Sequence, residues 1–171
     1  MNGYIQVYTG NGKGKTTAAI GLALRAAGAG LNVFIGQFMK LGDYSEINAF
    51  RMLSDSIKVE QFGRKRRIGQ EMEEADRVCA QKGLDRIKAV IKDERYDLII
   101  LDEINYAMGM GLISTDKVIE IIKGRPPDQE IVLTGRDAPG DIIGIADLVT
   151  EMRMVKHYYN IGVRSRRGIE R

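Results

Sequence analysis

Short apolar runs alternate with helix-like stretches along the whole chain. Tyr4–Tyr8 is rich in β-branched and aromatic residues and reads as a strand. Ala18–Ala27 reads as a helix, broken by Gly28 and Gly30. Asn32–Phe38 reads as a second, buried strand, and Ser45 caps a short helix over Glu46–Leu53. Ile57–Phe62 alternates apolar and polar positions, as a half-exposed strand does. Glu71–Lys92 is a long helical stretch, with Met72, Ala75 and Cys79, then Leu84, Ile87 and Ile91, on either side of Gly83. The four successive apolar residues of Asp97–Glu103 suit a central parallel strand covered on both faces. A helix over Ser114–Lys123 is ended by Pro126 and Pro127. Glu130–Thr134 is a strand, Asp141–Ala146 a short helix, and Leu148–Met152, extended to Val155, the last strand. His157–Arg171 is a basic, irregular tail with Arg164, Arg166, Arg167 and Arg171.

This βα alternation predicts an α/β fold: three α/β/α layers on a mostly parallel sheet of about six strands. The length, 171 residues, fits one domain over residues 1–171. A composition of 44% hydrophobic and 29% charged residues is that of a soluble globular chain. No apolar run is long enough to span a bilayer, and no charged-then-apolar leader precedes the first strand. The lone Cys79 excludes an internal disulfide, so the expected location is the cytoplasm. A net charge of +3 permits an anionic ligand without demanding nucleic acid.

The chemistry gathers first at Thr9-Gly-Asn-Gly-Lys-Gly-Lys-Thr-Thr17. Strand, glycine-rich loop, Lys-Thr and helix form the context of a phosphate loop. Gly10, Asn11, Gly12, Lys13 and Gly14 would turn backbone N–H groups toward anionic oxygens, aided by the helix N-terminus. Lys15 would reach the phosphates, Thr16 would bind Mg²⁺, and Thr17 completes the motif. Thr9 stands where such loops usually have their first glycine, and Lys13 adds a cation.

Asp102 and Glu103 end the central strand, where phosphate-loop proteins hold Mg²⁺. If the strand continued, the two carboxylates would point to opposite faces, and either could serve the metal. Of the basic clusters Arg64–Arg67 and Arg164–Arg171, most members read as solvated surface, with Arg64 the preferred exception. His157 has no nearby Cys or His and is a poor metal candidate. Cys79, Met108 and Met110 read as packing residues.

Taken together, the chain resembles the phosphate-loop ATP:corrinoid adenosyltransferases over nearly its full length. The resemblance rests on the loop with Thr9, Gln37-Phe-Met-Lys40, Phe62-Gly-Arg64, Leu101-Asp-Glu103 and Leu133-Thr-Gly-Arg-Asp-Ala-Pro139. Ala146–Met152, Val155–Tyr159, Gly162-Val163 and Arg166–Glu170 extend it. It implies a RecA-like phosphate-loop fold and the transfer of the 5′-deoxyadenosyl group of MgATP to Co(I) of cob(I)yrinic acid a,c-diamide or cob(I)alamin. Inorganic triphosphate leaves, and the nucleotide lies reversed relative to ordinary NTPases. Arg64 and Arg136 join the nucleotide residues, and Thr16, Asp102 and Glu103 the metal residues. The resemblance also implies a homodimer, a flavin-type reductant protein, and neither a nucleic-acid nor a membrane partner.

Two departures stand out. One branch of the family follows Gly-Arg with a Phe and a Trp that press on the lower corrin face. Lys65-Arg-Arg-Ile68 has no aromatic there. The sequence also begins directly at the first strand, without the covering extension of some members. Rival readings are a RecA-like ATP-hydrolysing protein acting on nucleic acid or another partner, with Glu103 as base, and a non-catalytic nucleotide sensor. Neither explains Leu133–Glu170.

Overall fold

The computed structural model describes residues 2–53, 55–65 and 70–170. In chain order, the elements are β1 (Ile5–Thr9), α1 (Lys15–Gly28), β2 (Val33–Phe38), α2 (Ser45–Arg51), β3 (Ile57–Phe62) and α3 (Glu74–Lys92). They continue with β4 (Leu98–Asp102), α4 (Ile104–Gly109), α5 (Thr115–Lys123), β5 (Glu130–Thr134), α6 (Gly140–Ile145) and β6 (Leu148–Glu151). A 3₁₀ turn over Tyr158–Ile161 follows. Positions 66–69, which hold most of the Lys65–Ile68 comparison, and Arg171 lie outside the described residues.

Among the described residues, six strands form one parallel sheet in the order β3-β2-β4-β5-β1-β6. Alternation along each strand sorts its side chains between two helix layers. Phe34, Ile99, Leu101, Ile131, Leu133 and Val7 face the layer of α3, α4, α5 and α6, where Leu84, Ile87, Ile104, Val118, Ile122 and Ile142 are buried. Val33, Ile35, Leu98, Ile100 and Val132 face α1 and α2, against Ala19, Ala23, Ala26 and Phe50. The alanine stripe of α1 lets that helix lie close to the sheet. The expected three-layer RecA-like phosphate-loop fold is therefore the observed one.

Four expectations need correction. The last strand stops at Glu151 rather than running to Val155. Of the two methionines read as packing residues, Met108, on helix α4, is buried in the core, but Met110, just past the helix end at Gly109, is exposed. The basic tail is more ordered than its composition suggests, with a 3₁₀ turn begun by His157, whose Nδ1 accepts the Tyr159 N–H. Cys79 is half-buried on α3 rather than fully in the core.

β2, β3 and α3 meet with no spare room at Gly83. A Cβ there would lie 2.6 Å from Cγ and 2.7 Å from Cβ of Phe62. Glycine inside a helix ordinarily costs about 1 kcal/mol relative to alanine, so propensity alone favours replacement. The clash with a ring already packed against Phe38 at 5.4 Å opposes it. Gly83→Ala is expected to destabilise the protein by about 1–3 kcal/mol in equilibrium denaturation; any gain in stability would mean that Phe62 moves aside freely.

Candidate active site

The carboxyl ends of the strands carry a polar row on the α1 face. Gln61, Gln37, Asp102 and Thr134 occupy β3, β2, β4 and β5. Gln37 is in register with both Gln61 and Asp102. Gln61 Nε2 donates to Gln37 Oε1 at 3.0 Å, and Gln37 Nε2 reaches Asp102 Oδ2 at 3.4 Å. β5 lies between β4 and β1, so Thr134 sits beside the acidic strand end and Gly135 donates its N–H to Tyr8 O.

Asp102 is the centre of this row and is 1% exposed. Its Oδ1 accepts from Thr16 Oγ1 at 2.8 Å and from Thr134 Oγ1 at 2.7 Å; its Oδ2 accepts from Lys40 Nζ at 2.7 Å. Burial opposes the charge on Lys40, but the adjacent Asp102 carboxylate outweighs it and holds the ammonium above the ordinary lysine value. The sequence marks Lys40 only through its Gln37–Lys40 stretch and Thr134 only through Leu133–Pro139. Neither lies in a loop pattern that announces its chemistry. Their place beside Asp102 comes from strand order.

Glu103 does not continue the strand. It takes φ +62, in the left-handed region, and caps α4, with its N–H donating to Thr134 Oγ1 at 3.0 Å. The condition for opposite-facing carboxylates is thus not met. Glu103 instead lines a cavity of about 350 Å³ with Met39, Lys40, Tyr106 and Arg136. Burial pushes its carboxyl above the ordinary glutamate value, and the Asp102 charge adds to that. Met39, at φ +57, and Asp137, at φ +52, are left-handed just beyond β2 and β5. Such residues cost about 1–2 kcal/mol each relative to right-handed backbone, and here they cluster where three strands exit into the site.

The phosphate loop joins the same end. Lys15 is 7% exposed and donates to Gly10 O at 2.7 Å and Gly12 O at 2.8 Å. Burial pushes its ammonium below the ordinary lysine value. Thr9 Oγ1, in place of the usual glycine, accepts the Ala138 N–H at 3.2 Å. Gly12 N–H is taken by Met152 O at 2.6 Å, and Asn11 Oδ1 accepts the Met154 N–H at 3.0 Å. Lys13 bonds Tyr158 and Glu170, each at 2.8 Å. Thr17 is exposed on the first turn of α1.

Of the expected residues, Lys15, Thr16, Asp102, Glu103 and Arg136 converge on one region. Arg136 is exposed at its rim, and its charge acts on both Lys15 and Glu103. Arg64 is held elsewhere, 2.8 Å from Glu73 and 3.9 Å from Asp76 at the start of α3.

Thr16 Oγ1 and Asp102 Oδ1, 2.8 Å apart with Glu103 next in sequence, form a hard-oxygen donor set that fits Mg²⁺. Among the described residues, no group of three His, Cys, Asp or Glu side chains could hold a metal ion. The set therefore suits a cation that keeps waters and arrives with substrate phosphates. Among the same residues, no helix is long and apolar enough to cross a membrane.

Known proteins resemble this chain both in fold and in sequence. The flagellar accessory protein FlaH of Methanocaldococcus jannaschii superposes with a TM-score of 0.62 at 14% identity, over 88% of this chain and 71% of that one, a likeness of fold. The corrinoid adenosyltransferase CobA of Salmonella typhimurium is 34% identical over 168 residues, 98% of this chain and 85% of that protein. The corrinoid adenosyltransferase of Pseudomonas aeruginosa is 33% identical over 169 residues, 98% of this chain and 83% of that protein. The family described as ATP:corrinoid adenosyltransferase BtuR/CobO/CobP matches residues 1–171, and the chain belongs to that family.

Proposed function

We propose that this site transfers the 5′-deoxyadenosyl group of ATP to Co(I) of a corrinoid substrate, cob(I)yrinic acid a,c-diamide or cob(I)alamin. The observation that carries the reading is the joining of Lys15, Thr16 and Asp102 at the phosphate loop to the cavity lined by Glu103, Tyr106 and Arg136. That cavity has the volume of a small-ligand pocket. It suits a nucleoside-sized group, with the larger corrinoid at its mouth.

The reaction is a displacement. The Co(I) electron pair forms the Co–C bond at C5′, the C5′–O bond breaks, and inorganic triphosphate leaves with that bonding pair. No proton leaves the attacked carbon, so the protein supplies neither nucleophile nor base. Its work is to hold two reactants in line and to meet the charge gathering on the triphosphate. Lys15, its charge already disfavoured by burial, gains most from an anionic partner and would exchange the carbonyls of Gly10 and Gly12 for phosphate oxygens. The free N–H groups of the loop and of the α1 N-terminus add to this. Thr16 and Asp102, with Glu103 nearby, would hold Mg²⁺, which supplies further charge neutralisation on the phosphates. Arg136 at the rim would meet the nucleotide. Arg64 would act from the β3 side only after leaving Glu73.

Beyond the site, the exposed edge strand β6, with Leu148 44% and Val149 42% exposed, supports a homodimer. The free Cys79 supports a reducing cytoplasmic setting, where a flavin-type protein would supply the corrinoid's electrons.

Under anaerobic, strongly reducing conditions, MgATP and cob(I)alamin are expected to give a light-sensitive Co–C product with one inorganic triphosphate per corrinoid. Lys15→Ala should lower the rate by about 100- to 1000-fold. ADP and phosphate released regardless of corrinoid would overturn the reading in favour of ATP hydrolysis. Lys40→Met should destabilise the nucleotide-free protein by about 3 kcal/mol, because it leaves the Asp102 charge buried beside neutral donors only, the Thr16 and Thr134 hydroxyls and the Gln37 amide. Chemical denaturation without nucleotide measures this, and an unchanged midpoint would show that Asp102 does not depend on Lys40.

A further inference from the structure

The C-terminal segment meets the phosphate loop at two places. Met152 donates its N–H to Thr9 O at 2.9 Å and accepts the Gly12 N–H at 2.6 Å; Met154 donates to Asn11 Oδ1. A Cβ on Gly10 would lie 2.5 Å from Met152 O, and one on Gly12 2.6 Å from it. These two glycines therefore admit the tail as well as a ligand.

The chain then turns through Tyr158–Ile161 and returns at Arg166–Glu170 to a second contact. Glu170 Oε1 accepts from Lys13 Nζ at 2.8 Å, from Arg166 Nη2 at 3.0 Å, and from the Tyr158 hydroxyl. Glu170 Oε2 accepts from the Arg166 N–H at 2.8 Å and from Arg166 Nε at 3.3 Å. Hydrogen bonds from Arg166, then Lys13 and Tyr158, hold the Glu170 carboxyl far below the ordinary glutamate value. Its side chain is only 16% exposed. The Arg166 guanidinium lies 4.9 Å from the Tyr158 ring centroid, and Lys13 Nζ lies 5.5 Å from it.

The two loop lysines differ in what they serve. Lys15 is buried and bonds the loop's own carbonyls, whereas Lys13 is 39% exposed at its side chain and gives two of its three N–H donors to the tail. A loop that binds through backbone amides must be held in one shape, because any ordering deferred to binding weakens affinity. Its glycines have no side chains with which to fix that shape.

We infer that the C-terminal segment is the outer wall of the nucleotide loop, that Glu170 is a positioning residue acting through Lys13, and that Lys13 anchors the loop rather than contacting the triphosphate. This rests on the loop being the nucleotide site. The primary measurement uses the full chain and MgATP alone, in titration calorimetry, and does not depend on corrinoid turnover; the corrinoid KM is a separate control. Lys13→Ala and Glu170→Gln should each raise the Kd for MgATP by about fivefold. The double variant should bind no worse than the weaker single one, since both act through one contact. Tyr158→Phe, which removes only a hydroxyl, should shift Kd in the same direction by about twofold. The corrinoid KM should stay unchanged in every variant.

Besides failure of its premise, three results would overturn the inference. Glu170→Gln could leave Kd unchanged or tighten it while Lys13→Ala weakens binding, which makes Lys13 a phosphate contact and Glu170 its competitor. The two losses could be additive. Or a fall in melting temperature could accompany equal losses toward ATP and corrinoid, which makes the tail a general stabiliser. A wild-type chain that binds no MgATP overturns the inference with its premise; one that binds MgATP but alkylates no corrinoid sinks only the reaction.

Discussion

A carboxylate taken out of water must be surrounded by donors, and Asp102 meets that demand with groups from four elements. Thr16 comes from α1, Thr134 from β5, Lys40 from the loop after β2, and Gln37 from β2 itself. An unpaired charge at this depth would cost several kcal/mol. The phosphate-loop helix, the inserted strand β5 and the exit of β2 are therefore fixed relative to one another by one side chain. The same demand leaves the Thr16 hydroxyl aligned with a carboxylate, the arrangement that a phosphate-borne cation needs. Stability and preorganisation here have a common cause.

Around that centre, the chain leaves its strands in unfavourable backbone. Met39, Glu103 and Asp137 are left-handed without being glycine. At Glu103 the turn lifts a second carboxylate off the strand and into the cavity beside Lys40 and Arg136. Its charge is disfavoured there by burial and by Asp102, so cations nearby have work to do: Lys40, Lys15 and Arg136 all oppose the shift. The site is thus balanced between clustered acids and clustered bases. That balance is what the proposed MgATP ligand would meet.

The phosphate loop depends on the far end of the chain. Gly12, Asn11 and Lys13 each bond the segment Met152–Glu170. The stretch Leu133–Glu170, which the family resemblance singles out but a generic nucleotide-binding fold does not explain, has here a structural meaning. Thr134 serves Asp102, Arg136 the cavity, and Met152, Tyr158 and Glu170 the loop.

Much was determined by sequence alone. Period-two and helical spacing placed the strands, because burial on one or two faces leaves an imprint on neighbouring residues; β3 and β5 matched residue for residue. The glycine-rich loop and the strand-end acids were legible because their chemistry is local. What the tertiary structure decided was which distant groups meet. Lys40 and Thr134 became partners of Asp102 through the insertion of β5 and the parallel register of β2 with β4. Glu103 was turned by a backbone conformation that its side chain does not advertise. Glu170 reached Lys13 across 157 positions of chain. Hydrogen bonds between side chains far apart in sequence leave no periodic trace, since each needs only one residue on either side and a fold to bring them together.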